Sequence, residues 1–259
     1  MRTLREEGFT IVELISVMVV TLILSGIIFT FVFDYWGGSA NLQAKLETFA
    51  TRLNANDRLR EALSASSGLV IQNSIPDDHV SNPDPAIGSG QYWVPLHAVP
   101  GNYVVGNSGT TTPLVYFRRP AINTAHAIVM NGSQPYENEY VLYLNGSTKQ
   151  MLLRTLANPA VSGNSVVTSC PLAQASPSCP PDKLIAADIT SIDLRYFSRS
   201  GNLIDWTSLY DPVINSYAGP DFTAVEAIEL NLHITKQAAF HGVNNSTNQT
   251  VVRIALLNI

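Results

Sequence analysis

The chain has 259 residues, enough for one large domain or two small ones with a sizeable hydrophobic core. Its formal net charge is −5, and charged residues make up only 14% of the sequence. There is no basic patch that would neutralise phosphates, so direct binding of nucleic acid is not predicted. The low charge and the many Asn, Ser, Thr, Gly and Pro residues favour an exported protein with a β-rich body.

The first predicted element is an apolar segment without charge, from Leu14 to Phe33. As a helix it would be about 30 Å long, which matches the hydrocarbon thickness of a bilayer. A short polar head, MRTLREEG, opens the chain, and Asp34, Tyr35 and Trp36 follow the segment, with an aromatic pair suited to a membrane interface. The segment therefore predicts a single transmembrane helix.

Three interpretations of this N-terminus differ in what they explain. A secretory signal peptide has a basic first region and about 7–15 apolar residues, whereas this apolar run is longer and its first region is also acidic. A plain single-pass anchor fits the length but leaves Glu13 unexplained, because an unpaired carboxylate in a membrane costs several kcal/mol.

The third interpretation rests on the sequence GFTIVELISVMVV, which begins at Gly8. It closely resembles the class III signal of type IV prepilins and type II secretion pseudopilins in the order of its glycine, aromatic, Thr, β-branched, Glu and Leu residues. The resemblance implies that a prepilin peptidase cuts between Gly8 and Phe9. It also implies that Phe9 is then N-methylated and that the apolar helix stays on the mature protein. Counted from Phe9, Glu13 is where the family carries its glutamate.

A physical role for Glu13 follows as a hypothesis. Cleavage after Gly8 would leave a positive amine on Phe9, and in a stack of parallel helices Glu13 of one subunit would lie near that amine on a neighbour. Opposite charges about 4 Å apart attract strongly in a low-dielectric medium, although desolvation cancels much of the gain. We interpret Glu13 as the assembly partner of the amine, which sets the register of the subunits.

Helical periodicity resumes directly after Gly37 and Gly38, and whether these glycines break the helix is left open. The periodicity predicts one face that packs against a domain, and a helix end between Ser64 and Gly68. The apolar stripe on that face consists of Leu42, Leu46, Phe49 and Leu53.

Strand patterns dominate the rest of the chain, and most of 73–110 is predicted to be loop. A hairpin is predicted with its turn at Asn145–Gly146, and strict alternation of apolar residues from Ile228 onward indicates an antiparallel strand with one buried face. A further strand is predicted to turn at 200–202 and return through Trp206. The predicted strand regions are 69–72, 114–120, 139–156, 189–206, 224–236 and 250–259.

A long N-terminal helix followed by an antiparallel sheet is the pilin arrangement, so the expected class is α+β with the pilin fold. The resemblance gives a leader at 1–8, a transmembrane and assembly half of the helix at 9–36, an amphipathic half at 37–66 and a β-rich head at 67–259. The order of strand, Ser-Gly-Asn turn, Trp and AVEAIELNLHI is similar to large minor pilins and the J-type minor pseudopilin, which favours a minor subunit over a major one.

The two cysteines, Cys170 and Cys179, enclose a short Pro- and Ser-rich loop. In an exported chain a local disulfide is the simplest interpretation, and it would stabilise the fold by roughly 2–3 kcal/mol. The alternative is two reduced thiols in a surface loop. The spacing fits neither a CxxC redox motif nor a zinc site.

No catalytic motif is present, so the chain is not predicted to be an enzyme and no cofactor is expected. HExxH, GxSxG, Walker A and GxGxxG are all absent, and the five histidines have no metal-ligand spacing. Oxygen-rich residues offer a weak calcium candidate without EF-hand spacing. The remaining candidates are Asp77, Asp78 and Asp84 for calcium, Arg118 and Arg119 for a ligand-facing patch, and Asn131, Asn145 and 244–250 for glycosylation-type triplets.

The function expected from the resemblance is a minor subunit of a type IV pilus or related filament that primes assembly or lies at the tip. Its partners would be other pilins, the prepilin peptidase and the inner-membrane assembly platform. The precursor would cross the inner membrane once, with its C-terminal domain outside, before joining a surface pilus or envelope filament. The alternatives are a minor pseudopilin, a major pilin, and an anchored exported adhesin or enzyme.

Overall fold

The structure is a computed structural model. The part of the chain that it describes forms two compact units. The first contains the N-terminal helix up to Leu46, and the second contains that helix from Glu47 onward together with the β-sheets. Gly8, Phe9 and Trp206 lie outside the described residues. The described residues are 10–80, 90–93, 102–104, 111–204, 225–236 and 246–255, and only the backbone is described in 102–104, at 236 and in 246–255.

Helix α1 runs without interruption from Ile11 to Leu63, over 53 residues. It passes through Gly37 and Gly38 as regular helix. The helix contains no proline, and a glycine inside a helix costs only about 1 kcal/mol relative to alanine. The predicted helix end is confirmed, because the chain leaves the helix in a turn at Ser64.

The prediction of the packing face of α1 was wrong. The stripe of four large apolar residues that starts at Leu42 is 47–60% exposed. The residues that are buried lie on another face and are mostly smaller, so the close-packed face of the helix does not carry the strongest hydrophobic pattern. They are Ala44, Thr48, Ala55, Leu59, Ala62 and Leu63.

Most of the predicted strands are present, and two described sheets contain nearly all of the β-structure. In chain order the strands are β1 (Gly68–Val70), β2 (Asn102–Val104), β3 (Thr111–Pro120), β4 (Met130–Asn131), β5 (Gln134–Pro135), β6 (Glu137–Asn145), β7 (Gln150–Leu156), β8 (Lys183–Ala186), β9 (Ile189–Phe197), β10 (Leu203–Ile204), β11 (Ala227–Lys236) and β12 (Ser246–Ala255). The first sheet has the order β1-β3-β6-β7-β8, and the second has the order β10-β9-β11-β12 with β2 also paired to β9.

The antiparallel β6–β7 hairpin with its turn after Asn145 is confirmed, and so is the alternation in β11. In β11, Ile228, Leu230, Leu232 and Ile234 are all fully buried. The sequence did not predict β2, the small hairpin formed by β4 and β5, or β8, which are short or lie in segments read as loops. The observed layout is therefore α+β, with one long apolar helix and antiparallel β-pairing.

One hydrophobic core joins the last turns of α1 to both sheets. Helix residues such as Leu59 and Leu63 pack in the same cluster as β3, β6 and β7 of the first sheet and β9 and β11 of the second. Strand β6 lies at the centre of its sheet and is buried on both faces, which explains its nearly continuous apolar sequence. Trp93 is fully buried in this cluster and lies against Tyr143, with 5.1 Å between the ring centroids.

Candidate functional site: the apolar N-terminal helix

Glu13 closes the first turn of α1 on itself. Its Oε2 atom accepts hydrogen bonds from the backbone N of Thr10 at 3.0 Å and from the Thr10 hydroxyl at 2.9 Å. In return the backbone N of Glu13 donates to the Thr10 hydroxyl at 3.3 Å. This is a capping box, in which a Thr and a Glu three residues apart satisfy each other's free backbone donors at the start of a helix.

The capping box was not predicted from the sequence, although its signal is visible there. The pattern Thr-x-x-Glu directly before an apolar run marks a helix N-terminus. The Glu13 carboxylate accepts two hydrogen bonds within its own chain, so the residue contributes to helix initiation with or without a neighbouring subunit.

The first half of α1 exposes an apolar surface on all sides. None of the residues from Ile11 to Trp36 is buried, and the large apolar residues among them are 49–78% exposed except Val32, which is half-buried. Within the described residues, one helix is long and apolar enough to cross a membrane, with a mean hydropathy of 2.6 in its most apolar window. By length and composition the helix is compatible with a membrane anchor.

Three of the four hydroxyl side chains inside this segment are satisfied by the helix itself. The hydroxyls of Ser16, Thr21 and Thr30 each donate to the carbonyl oxygen four residues earlier, at 2.7–2.9 Å. In hydrocarbon a polar group without a partner costs several kcal/mol, and these bonds remove that cost. These three hydroxyl groups therefore do not oppose the placement of the segment in lipid.

Aromatic and acidic residues mark the end of the apolar segment. Phe33 and Trp36 meet edge to face, with their ring centroids 6.4 Å apart, and Tyr35 is 75% exposed. Aromatic rings of this kind favour the level of the lipid headgroups, and Asp34 is the first charged residue after Glu13. The predicted span from Leu14 to Phe33 thus lies inside one helix and ends at a suitable boundary.

The disulfide predicted between Cys170 and Cys179 is present, with 5.6 Å between the Cα atoms. An imidazole nitrogen of His79 and the two sulfur atoms lie within 4.8 Å of one another, a grouping that sequence spacing does not reveal. Because the sulfurs are bonded to each other, they are not thiolates, and the group is no ligand set for a metal in this form. The disulfide closes a loop beside a cleft of about 370 Å³ lined in part by Asp78 and His79.

Asp77, a calcium candidate, is fully buried and its carboxylate is already occupied. It accepts from Nη1 of Arg154 at 3.0 Å and from Nε1 of Trp93 at 2.8 Å. Asp182 accepts a hydrogen bond from Nε of Arg154 at 2.6 Å and another from the Tyr143 hydroxyl at 2.6 Å. These contacts tie the chain after β1 and the end of the disulfide loop to β7, which is a structural role.

The electrostatics of this network follow from its burial. Burial opposes the charge on Arg154, but the hydrogen bond to Asp182 and the charges of both aspartates outweigh it and raise the pKa of the guanidinium. Burial, followed by the charge of Asp182, raises the pKa of the Tyr143 hydroxyl well above its usual range. The network is held as an ionised arginine between two carboxylates with a neutral tyrosine.

The arginine pair predicted as a ligand-facing patch is engaged in the fold. Arg118 contacts Glu139 at 3.1 Å and Glu137 at 3.7 Å, while Arg119 lies over the Tyr140 ring, 5.5 Å from its centroid. Buried Glu139 also accepts from the backbone nitrogens of 74 and 75. The pair therefore holds strand ends and a loop in place, and Arg118, whose side chain is 35% exposed, also lines a cleft of about 260 Å³.

The sites predicted from sequence are spread along the chain. The structure places Glu13 and the apolar span on α1 and joins the two cysteines, while Gly8, Phe9 and Asp84 lie outside the described residues. Comparisons of the chain with protein-family models, with curated proteins and with solved structures found no match.

Proposed function

We propose that this chain is a minor pilin-like subunit of a type IV pilus or a related filament. It is made as an inner-membrane precursor, cut after Gly8 by a prepilin peptidase, and assembled through its N-terminal helix. It is a subunit of low abundance that either primes filament assembly or lies at the filament tip. It performs no catalysis itself.

The observation that carries the proposal is the position of a carboxylate directly before an exposed helical segment without charge, from Leu14 to Phe33. Glu13 follows the Gly8–Phe9 sequence at the spacing of the prepilin signal, and the apolar surface begins directly beyond it. A lipid anchor alone does not need the charge of this residue, because a neutral Gln can complete the same capping box. A helix that leaves lipid for a bundle of sister helices needs a feature that fixes its register, and a charge pair serves that purpose.

The capping box adds a second state to the role of Glu13. In the single chain, Thr10 supplies the donors to the carboxylate. In the filament, the positive amine of Phe9 on a neighbouring subunit is the stronger partner, since a charged donor forms a stronger hydrogen bond than a neutral one. The self-capped state keeps the carboxylate hydrogen-bonded in the membrane until a neighbouring subunit arrives.

The first experiment determines the mature N-terminus. Mass spectrometry of the protein isolated from filaments or membranes should show a chain that begins with N-methylated Phe9. A functional protein that keeps Met1 to Gly8 would contradict the proposal, because the partner amine would never form.

The second experiment separates the charge of Glu13 from its capping role. Glu13→Gln keeps an oxygen that accepts the capping hydrogen bonds but removes the charge, while Thr10→Val removes the side-chain cap and keeps the charge. We expect both variants to insert in the membrane and be cleaved. Only Glu13→Gln should lose incorporation into filaments, as measured by immunoblots of sheared filament fractions.

The outcomes of this comparison are distinct. If Glu13→Gln assembles like the unmodified chain, the charge pair is wrong and the capping box alone explains the residue. If Thr10→Val fails and Glu13→Gln assembles, helix initiation is the property that assembly needs. Copy number in purified filaments then distinguishes a minor subunit from a major one.

A further inference from the structure

The sequence contains the tripeptide Asn-Gly-Ser twice, at Asn131 and at Asn145, and the structure gives the two copies different surroundings. Each asparagine ends a strand and precedes a turn of a hairpin. An asparagine followed by glycine has a chemistry of its own, because the next residue has no Cβ to block its backbone nitrogen and its backbone is the most permissive of all. The two copies therefore form a matched pair within one chain.

Asn131 lies at the tip of an exposed hairpin. Within the part of the chain that the structure describes, strands β4 and β5 pair only with each other, with Asn131 opposite Gln134, and the residues from 131 to 134 are all exposed. Gly132 has a φ of +64°, as expected for the first position of a two-residue hairpin turn. Among the described residues, nothing forms a hydrogen bond to the Asn131 side chain.

Asn145 is held in place at the end of a central strand. It is half-buried, and its Oδ1 atom accepts from the backbone N of Ser147 at 3.1 Å, from the Ser147 hydroxyl at 2.7 Å and from the backbone N of Thr148 at 3.2 Å. This is an Asx turn, in which the side chain takes the place of a backbone carbonyl. Turning its Cγ toward the next nitrogen would break all three bonds.

We propose that Asn131 is a site of spontaneous deamidation and that its counterpart Asn145 is protected by its turn. In this reaction the backbone nitrogen of Gly132 attacks Cγ of Asn131 and forms a five-membered succinimide. The Cγ–Nδ2 bond breaks, and ammonia leaves with the proton from the attacking nitrogen. Water then opens the ring at either carbonyl to give aspartate or isoaspartate, so the only co-reactant is water and nothing is oxidised or reduced.

The modification would change the surface of the exposed hairpin. It replaces a neutral amide by a carboxylate and takes the net charge from −5 to −6, next to the exposed apolar residues Ile128 and Met130. The isoaspartate form also adds a methylene to the main chain, which disturbs the pairing of Asn131 with Gln134. A long-lived protein would accumulate this change at one defined point. The inference is independent of the proposed filament function.

The test is a peptide map of the intact full-length protein, kept in detergent at mildly alkaline pH and sampled over time. We expect Asn131 to convert about tenfold faster than Asn145 or more, the ratio that about 1.4 kcal/mol of retained hydrogen bonding gives. In denaturant the two sites should react at similar rates, which shows that the difference comes from the fold. Asn131→Gln should abolish the new acidic species in isoelectric focusing while the protein remains folded.

Three results would overturn the proposal. Equal rates at the two sites in the native protein would mean that the Asx turn gives no protection. Faster reaction at Asn145 would reverse the assignment. A sugar attached to Asn131 in protein from the native host would show that the triplet is used for glycosylation, since the modified nitrogen no longer leaves as ammonia.

Discussion

Arg154 places a full positive charge inside the head, at a position with no exposure to solvent. Asp77 and Asp182 neutralise it from two directions, and the Tyr143 hydroxyl and the Trp93 indole complete the hydrogen bonds of the carboxylates. A buried ion pair of this kind contributes little net stability compared with an apolar substitute, yet the loss of one partner is severe. Its main effect is to fix which segments meet at β7.

Replacing Arg154 by Met should destabilise the head strongly. The variant keeps much of the side-chain volume but leaves the buried carboxylates of Asp77 and Asp182 without their cation. We expect a loss of about 3–5 kcal/mol in the free energy of unfolding, measured by urea denaturation followed by tryptophan fluorescence. A loss below about 1 kcal/mol would show that water enters and solvates the carboxylates.

Tyr143→Phe is the matched smaller change in the same network. It removes one hydrogen bond to Asp182, so we expect a loss of about 1.5–3 kcal/mol at neutral pH. Burial and Asp182 raise the pKa of Tyr143 above its ordinary value of 10.0, so its contribution to stability is full below that pH and is lost as pH rises through the folded-state pKa. The difference between the two proteins should therefore shrink in alkaline denaturation curves.

At the scale of the element, α1 shows how far a hydrophobic pattern can predict packing. The pattern gave the extent of the helix, because length and composition decide that. It predicted the wrong packing face. Leu42, Leu46 and Phe49 are more hydrophobic than the alanines and Thr48 of the face that is buried. Small residues let a helix approach its neighbours closely, and no hydropathy value records that.

The two faces of α1 can be compared with one kind of substitution. Leu59 is fully buried in the core, whereas Leu53 is 47% exposed. Changing each leucine to Ala compares the contribution of the two faces to the free energy of unfolding. We expect Leu59→Ala to cost about 2–5 kcal/mol and Leu53→Ala to stay within about 0.5 kcal/mol. Denaturant midpoints of the two variants check this, and filament incorporation tests whether Leu53 packs against another subunit. Equal losses of stability would mean that the stripe is covered by the chain itself.

Contacts near the end of α1 show how the helix meets β8. Arg58 donates to the carbonyl oxygen of Leu184, and Lys183 contacts Glu61 at 2.8 Å. The hydrogen bond from Lys183 lowers the pKa of Glu61, but both side chains are largely exposed, so solvent screens the pair and its contribution to stability is small. The apolar core under this helix end is what stabilises the contact.

Over the whole molecule, the features that could be predicted are those that a short stretch of sequence determines. The hairpin around Asn145, the alternating strand from Ile228 and the long helix all follow from periods of a few residues. The network of Arg154 could not be predicted, because Asp77 lies 77 residues away and Asp182 lies 28 residues away. The short strands failed for a related reason, since only pairing with distant partners makes them strands.

Removing 1–36 should separate the membrane property of the chain from the folding of its head. No described residue up to Trp36 is buried, and the core cluster contains no helix residue before Ala55. The shortened chain keeps every described core contact and loses the segment that fits a bilayer.

We expect the shortened chain to remain in the supernatant after membranes are sedimented, whereas the full-length chain resists extraction with carbonate. Its thermal unfolding midpoint, followed by circular dichroism, should match that of the full-length protein in mild detergent. A shortened chain that aggregates or has no cooperative transition would show that the apolar half of α1 contributes to folding.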